Sequence, residues 1–102
     1  MFISINHILV KKGRESDFEK LFRERDRLVE KQLGFVSLDI LKPTADSNEY
    51  QVLTRWLSKE DFKNWTSSEA FKKSHSRPTD HSIFDGKSFL TLHETIEGAG
   101  AS

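Results

Sequence analysis

The chain has 102 residues, a length that fits one compact domain rather than two. Its 16 basic and 16 acidic side chains cancel, and a neutral chain lacks the basic excess that drives binding to nucleic acid. The absence of cysteine excludes disulfides, thiolate metal sites, iron–sulfur clusters and thiol nucleophiles. We find neither a signal peptide nor an apolar run near the ~20 residues that span a bilayer, so we expect a cytoplasmic protein with no membrane partner.

The strand and helix signals along the chain predict the order β-α-β-β-α-β within a single domain at 1–96, followed by a flexible tail at 97–102. Strands are predicted where apolar and β-branched residues cluster between turn signals, at 2–10, 35–41, 50–57 and 88–96. A short polar run separates the second strand from the third, and these two should form an antiparallel hairpin.

Two helices are predicted between the strands. The first begins with the form of a capping box at Ser16 and Glu19, continues with apolar residues at helical spacing and is predicted to end at Gly34. The second begins after Ser58, and a fresh N-cap signal at 67–69 predicts that it breaks and restarts there.

This order implies an α+β, ferredoxin-like fold, in which both helices cover one face of an antiparallel sheet. Such a monomer should have one apolar and one polar face, whereas the strands carry apolar residues on both. In the first strand, Phe2, Ile8 and Val10 lie on one face of the sheet and Ile3, Ile5 and Leu9 on the other. In the second strand, Val36, Leu38 and Ile40 lie on the face opposite to Phe35 and Leu41. In the fourth strand, Leu90, Leu92 and Ile96 lie on the face opposite to Phe89. We therefore predict a homodimer whose second subunit covers the second face. The alternative is that β-branched residues are common in strands regardless of burial.

The four histidines, His7, His75, His81 and His93, are each explained singly by a structural or solvated role. None has a second histidine at metal-ligand spacing, which argues against a zinc site. Heme differs, because it needs only one protein ligand beside an aromatic-rich pocket. His75 meets this requirement best, since it ends a predicted helix four residues after Phe71 and so shares a helical face with it.

Two further residues are unusual for their positions. Asn6 lies in the middle of the first strand, where asparagine is depleted and where a buried amide must find a partner. It is either bonded to a neighbouring backbone group or directed into an otherwise apolar pocket. Trp65 lies on the second helix and is either a core residue or part of the same pocket.

Together these residues resemble a known pattern. The chain resembles the IsdG-type heme-degrading monooxygenases, in the antibiotic-biosynthesis-monooxygenase superfamily of dimeric α+β barrels. The resemblance extends from Phe2 to about Glu94, and its specific parts are the strand at 5–8 leading to Lys12-Gly13, the pair Gly34-Phe35, and the run at 54–75. The catalytic trio of that family is an asparagine in the first strand, a tryptophan on the second helix and a histidine ten residues later, and Asn6, Trp65 and His75 match it.

The resemblance implies that His75 is the axial ligand of the heme iron, that Asn6 donates a hydrogen bond to iron-bound oxygen, and that Trp65 ruffles the porphyrin. Phe71 and Phe22 are further expected heme contacts. Heme would bind non-covalently as both cofactor and substrate. Dioxygen and an external electron donor, supplied by a reductase, would open the porphyrin and release iron.

Two features nearby carry less weight. Lys72, Lys73 and Arg77 flank His75 and are candidate partners of the heme propionates, although a charge run at a helix end is usually solvated. The segment at 76–84 is short for the family, which would leave heme more exposed or let His81 compete for iron.

Two other functions stay open from the sequence. One is a cofactor-free monooxygenase of the same superfamily that acts on a polyketide-like aromatic. The other is a non-enzymatic dimeric module that binds heme or another ligand. The combination of Asn6 with His75 favours heme degradation over the cofactor-free reaction, because an axial histidine has no evident task without iron.

Overall fold

The computed structural model describes residues 1–76 and 79–100, so Arg77 and the last two residues of the predicted tail lie outside the described residues. The regular elements follow the predicted order. They are β1 (Phe2–Leu9), α1 (Glu15–Arg23), β2 (Phe35–Leu41), β3 (Glu49–Trp56), α2 (Lys59–Thr66), α3 (Glu69–Ser74) and β4 (Phe89–Glu94), with short 3-10 helices at Val29–Lys31 and His81–Ile83. No helix in the described part of the chain has both the length and the apolar character needed to cross a membrane.

The four strands form one antiparallel sheet in the order β2-β3-β1-β4. The predicted hairpin of β2 and β3 is confirmed, and β1 lies in the middle between β3 and β4. The α+β, ferredoxin-like fold is therefore confirmed. Because β1 is central, the side chains on its two faces define what the helices cover and what they leave open.

The start of α1 differs from the sequence prediction. The helix begins at Glu15, after an N-cap residue that makes no side-chain capping bond, so the predicted capping box of Ser16 and Glu19 is not formed. The Glu15 carboxylate accepts instead from the backbone N–H of Gly13 at 2.9 and 3.1 Å. Glu19 is held elsewhere, because its carboxylate accepts the hydroxyl proton of Tyr50 at 2.8 Å.

The end of α1 also differs. The helix stops at Arg23 rather than at Gly34, and Arg27 adopts a left-handed backbone conformation with φ of 57°. Four consecutive charged residues at 24–27 would give a longer helix no apolar face to bury there. Val29 is nevertheless buried, from the short 3-10 helix that follows.

The predicted break between α2 and α3 is confirmed by its caps. Ser58 Oγ accepts from the backbone N–H of Asp61 at 3.2 Å, and Ser68 Oγ accepts from that of Phe71 at 3.1 Å. Each serine satisfies one of the free N–H groups at a helix start. The second cap starts α3 only two residues after α2 ends, which fixes the direction in which α3 presents Phe71.

Two hydrophobic clusters fill the space between the sheet and the helices. The first consists of Ile8, Val10, Phe18, Tyr50 and Ile83, and the second of Phe2, Val29, Trp56 and Trp65. On the helix side of β1, Phe2 belongs to the second cluster and Ile8 to the first. Ser4 and Asn6 lie between them, and Ser4 Oγ lies 2.5 Å from the hydroxyl of Thr54. The stretch of β1 between the two clusters is therefore polar on this face, while its neighbours Val52, Leu90 and Leu92 on β3 and β4 are apolar.

A β-bulge in β2 places Phe35 on the sheet face opposite to the one that the sequence predicted. Phe35 was expected opposite Leu38 and Ile40, but the register shifts between Phe35 and Ser37, so that Phe35 pairs with Trp56. The two rings meet edge-on with centroids 5.8 Å apart. Phe35 thus packs against the second cluster. A further correction concerns Ile96, which lies beyond β4 and is fully exposed.

The sheet face away from the helices carries an apolar centre and a polar border. Ile3, Ile5 and Leu53 form the centre, in neighbouring rows of β1 and β3. Along the border, His7 stacks on Phe89 with ring centroids 4.4 Å apart and hydrogen-bonds Glu49 and Thr91, and Arg55 pairs with Asp39 at 3.0 Å. The predicted second apolar face is thus more polar at its edges than the strand pattern suggested.

Tyr50 gives the first testable consequence. Its side chain is 1% exposed, and burial, followed by the neighbouring Glu19 carboxylate, raises the pKa of Tyr50 to about 12 from its ordinary 10. The unfolded chain ionises this tyrosine first, so the free energy of unfolding should fall as pH rises from about 10 to about 12. Urea unfolding at about pH 9 and about pH 11 should show a larger loss for the wild type than for Tyr50→Phe. Tyr50 is the chain's one tyrosine, so equal losses would contradict the assignment.

Candidate active site

Asn6 is a polar residue in the middle of the sheet whose side chain has no hydrogen-bond partner among the described residues. It pairs across the backbone with Val52 of β3 and Leu90 of β4, and its side chain points to the helix side. The residue is half-buried, and its amide makes no side-chain hydrogen bond to any residue in the described part of the chain. The amide is not among the fully buried side-chain groups that lack a partner in the described part of the chain, so it is accessible to water or to a ligand.

Exposed apolar side chains lie beside this amide. Leu90 and Leu92 of β4 share the helix side of the sheet with Asn6, yet they are 52% and 48% exposed. The helices therefore leave an apolar strip of the sheet uncovered next to Asn6. A flat apolar ligand is the kind of molecule that such a strip accommodates.

α2 and α3 present a row of three rings. Trp65 is 7% exposed and belongs to the second cluster, and its indole meets Phe71 edge-on at a centroid distance of 5.4 Å. The Phe71 ring in turn stacks on the imidazole of His75 at 4.0 Å. Of the five residues predicted for the site, the structure thus places Trp65, Phe71 and His75 in direct succession.

The histidine at the end of this row has a defined tautomer. His75 follows the last turn of α3, and its Nδ1 lies 2.9 Å from the carbonyl oxygen of Phe71. A carbonyl oxygen only accepts, so Nδ1 carries a proton, and in the neutral imidazole Nε2 therefore keeps its lone pair. A neutral imidazole with an available Nε2 is the form that ligates iron. Among the described residues there is no group of three or more His, Cys, Asp or Glu that could hold a metal ion by itself.

Phe22 lies apart from the row of rings. It packs against the first cluster, with its ring centroid 4.8 Å from that of Phe18. It also lines a pocket of about 230 Å³ whose other walls include Arg25 and Lys42, and a second pocket of about 210 Å³ lies beside Phe2 and Leu92. Both volumes are below the ~300–1,000 Å³ typical of small-molecule sites, and neither pocket is lined by Asn6, Trp65 or His75.

The remaining histidines are placed away from this side of the sheet or at its margin. His7 and His93 lie on the opposite sheet face, where both rings hydrogen-bond the hydroxyl of Thr91 at 2.8 and 2.9 Å. His81 is exposed at the start of the second 3-10 helix. Lys72 and Lys73 are exposed on α3.

The loop after His75 is tied to α1. Arg14 donates to Asp80 at 3.0 Å and to Ser82 at 2.9 Å. Hydrogen bonds from Ser82 and then from Arg14 hold the pKa of Asp80 at about 2. Ile83 is buried in the first cluster, so the part of this loop at 80–83 is anchored to the body of the protein.

Three residues near the site were not predicted as site residues from the sequence. Ser74 Oγ lies 2.9 Å from His75 Nδ1, and the exposure of Leu90 and Leu92 is evident only once the helices are placed. The two leucines share the strand parity of an apolar face, which gave a weak signal. Nothing in the sequence distinguishes Ser74 from other serines at helix ends.

The sequence and the fold are similar to those of known proteins. The family model described as antibiotic biosynthesis monooxygenase matches residues 1–77, and the chain belongs to this family. A heme-degrading monooxygenase of Halalkalibacterium halodurans is 39% identical over 79 residues, which cover 76% of this chain and 67% of the relative. A mycobilin-producing heme oxygenase of Mycobacterium tuberculosis is 30% identical over 98 residues, covering 96% of this chain and 92% of the relative.

A solved structure gives the same result in three dimensions. The heme-degrader MhuD from Mycobacterium tuberculosis, with two hemes bound in its active site, superposes with a TM-score of 0.83 at 29% sequence identity. The match covers 98% of this chain and all of that one.

Proposed function

We propose that this protein is a heme-degrading monooxygenase that binds heme non-covalently at His75. The observation that carries the proposal is the His75 imidazole, whose Nδ1–H is engaged by the Phe71 carbonyl while Nε2 stays available. The unpartnered amide of Asn6 on the same side of the sheet adds support. The relatives from Halalkalibacterium and Mycobacterium, which are named for heme degradation, support it independently.

Each residue has a distinct task in this proposal. His75 binds the iron through Nε2, and Trp65 and Phe71 form an aromatic wall that presses on the porphyrin. Leu90 extends the apolar contact, and Asn6 donates its side-chain N–H toward the reacting oxygen. Phe22, expected as a further heme contact, packs against Phe18 in the first cluster and would reach the heme only at its edge.

Heme is the substrate here, and it supplies both the iron at which dioxygen is activated and the ring that is oxidised. Electrons come from an external donor, for which we propose a reductase partner. The products are iron and an opened tetrapyrrole. We further propose that the reaction takes place in the cytoplasm.

We also propose that two chains form a dimeric α+β barrel. The apolar centre formed by Ile3, Ile5 and Leu53 lies on the sheet face away from the helices that the structure describes, and the neighbouring Phe89 is half-exposed. Sedimentation equilibrium at micromolar concentration should therefore give about twice the chain mass of 11.8 kDa. A folded monomer under these conditions would contradict the dimer.

Titration of the purified protein with hemin tests the proposed function directly. A Soret shift that saturates, followed by bleaching when a reductant is added in air, is the expected result. The spectra should be fitted with one and with two hemes per chain, because the Mycobacterium tuberculosis relative holds two in its active site. Our proposal corresponds to one heme per chain bound through His75.

Two outcomes would contradict heme degradation. A Soret band that forms but stays stable under reductant and air would indicate a heme-binding module without the reaction. No shift at all would leave a cofactor-free monooxygenase of the same family as the better interpretation.

A further inference from the structure

Three donors converge on one backbone carbonyl at the end of α3. The oxygen of Phe71 lies 3.1 Å from the backbone N of His75, 2.9 Å from Ser74 Oγ and 2.9 Å from His75 Nδ1. Ser74 Oγ also lies 2.9 Å from the same Nδ1. The Ser74 hydroxyl therefore stands beside the hydrogen bond that orients the proposed heme ligand.

The protons in this cluster can be assigned by counting lone pairs. A carbonyl oxygen has two lone pairs and no proton. The backbone N–H of His75 and the Ser74 hydroxyl together suffice to occupy both lone pairs. The Nδ1–H group therefore shares this acceptor, and it has Ser74 Oγ as a second, weaker acceptor at 2.9 Å. If the Ser74 hydroxyl donated to Nδ1 instead, Nδ1 would carry no proton. Two acceptors, Nδ1 and the Phe71 carbonyl oxygen, would then face each other at 2.9 Å and repel.

We propose that Ser74 is a positioning residue that weakens the hydrogen bond from His75 Nδ1 to the Phe71 carbonyl by competing for the same oxygen. The inference rests on the proposed function of His75 as the heme ligand. The hydrogen bond at the second ring nitrogen sets how basic the ligating nitrogen is. Ser74 thus makes Nε2 a weaker electron donor than an alanine at this position would.

The direction of this effect suits the proposed reaction. A strongly donating axial ligand pushes electron density into the heme and favours cleavage of the O–O bond. A weaker donor favours the competing outcome, in which the porphyrin itself is oxygenated. Ser74 therefore adjusts the His75 imidazole toward heme degradation without touching the heme.

The test begins with the heme-free protein. In ¹H and ¹⁵N NMR spectra of the imidazole, wild type and Ser74→Ala should both show the Nδ1–H tautomer of His75, because the Phe71 carbonyl holds the proton in both. The Nδ1–H proton should resonate further downfield in Ser74→Ala, since the competing hydroxyl is gone. Ser74→Thr is the matched control, and it should keep the wild-type resonance because it keeps the hydroxyl.

The heme-loaded protein gives a second readout. With reduced heme bound, the Fe–His stretching frequency in resonance Raman spectra should be higher for Ser74→Ala than for wild type or Ser74→Thr. The dissociation constant of hemin should change by less than about fivefold, the worth of one neutral hydrogen bond.

An unchanged or upfield Nδ1–H resonance in Ser74→Ala would overturn the proposal. A switch of His75 to the Nε2–H tautomer would also overturn it, because Ser74 rather than the carbonyl would then hold the proton. Failure of the proposed function is separate and visible elsewhere. If His75→Ala bound hemin as the wild type does, the assignment of His75 as the heme ligand would be wrong even where the NMR result in the heme-free protein agreed.

Discussion

Replacing His75 with alanine should abolish the Soret shift of hemin and leave the fold in place. The imidazole is exposed and contacts the Phe71 carbonyl, the Phe71 ring and the Ser74 hydroxyl, so little packing is lost. Even in its protonated form, a histidine at a helix C-terminus contributes only ~0.3–1 kcal/mol through the helix dipole. A loss of this size lowers Tm by no more than about 8 °C in a domain of this length. Hemin titration and thermal unfolding on the same samples measure both effects.

His81 offers a matched control. It is also an exposed histidine, at the start of the second 3-10 helix, and it has no place in the row of rings formed by Trp65, Phe71 and His75. His81→Ala should bind hemin with the wild-type spectrum. If His81→Ala lost the Soret shift and His75→Ala kept it, the axial ligand would be His81.

The second large effect is expected at Asn6. Asn6→Ala should bind hemin through His75 but lose most of the degradation, because a donor near the reacting oxygen is removed. Loss of one such preorganised donor typically costs ~2.7–4 kcal/mol in barrier, or about 10²–10³-fold in rate. Stability should barely change, since the Asn6 amide has no hydrogen-bond partner in the described part of the chain. Single-turnover bleaching rates and Tm together measure this difference.

Ser4 is the control for this prediction, on the same strand and the same face. Its hydroxyl is buried and bonded to Thr54, so Ser4→Ala should cost roughly 1–3 kcal/mol of stability because Thr54 loses a partner. Its bleaching rate should stay near that of the wild type. Asn6→Ala that degraded heme at the wild-type rate would refute the catalytic assignment of Asn6.

Trp65 is a less suitable residue for such a test. It is one of the four buried residues of the second cluster, and truncating a buried tryptophan to alanine typically costs ~3–5 kcal/mol. A slower reaction in Trp65→Ala would therefore mix loss of structure with loss of the aromatic wall. The dual position of this side chain, in the core and beside Phe71, follows from the packing of α2 and could not be read from its spacing alone.

Local signals in the sequence determined the order of the elements and most of their bounds. The caps at Ser58 and Ser68 involve only residues three positions away, so the break between α2 and α3 was predictable from the sequence itself. The hairpin of β2 and β3 was equally predictable, because alternating residues and a polar turn are local features. The spacing of Asn6, Trp65 and His75 indicated the family, and the family match agrees.

Long-range contacts decided what local patterns could not. Glu19 forms no capping box, because Tyr50, 31 residues away in sequence, takes its carboxylate. Phe35 lies on the sheet face opposite to the predicted one, because the bulge in β2 shifts the register and pairs it with Trp56. The unpartnered Asn6 amide depends on which strands lie on either side of it, since register rather than composition fixes a residue's neighbours. The tautomer of His75 likewise depends on where the last turn of α3 places the Phe71 carbonyl, a distance that exists only in the folded chain.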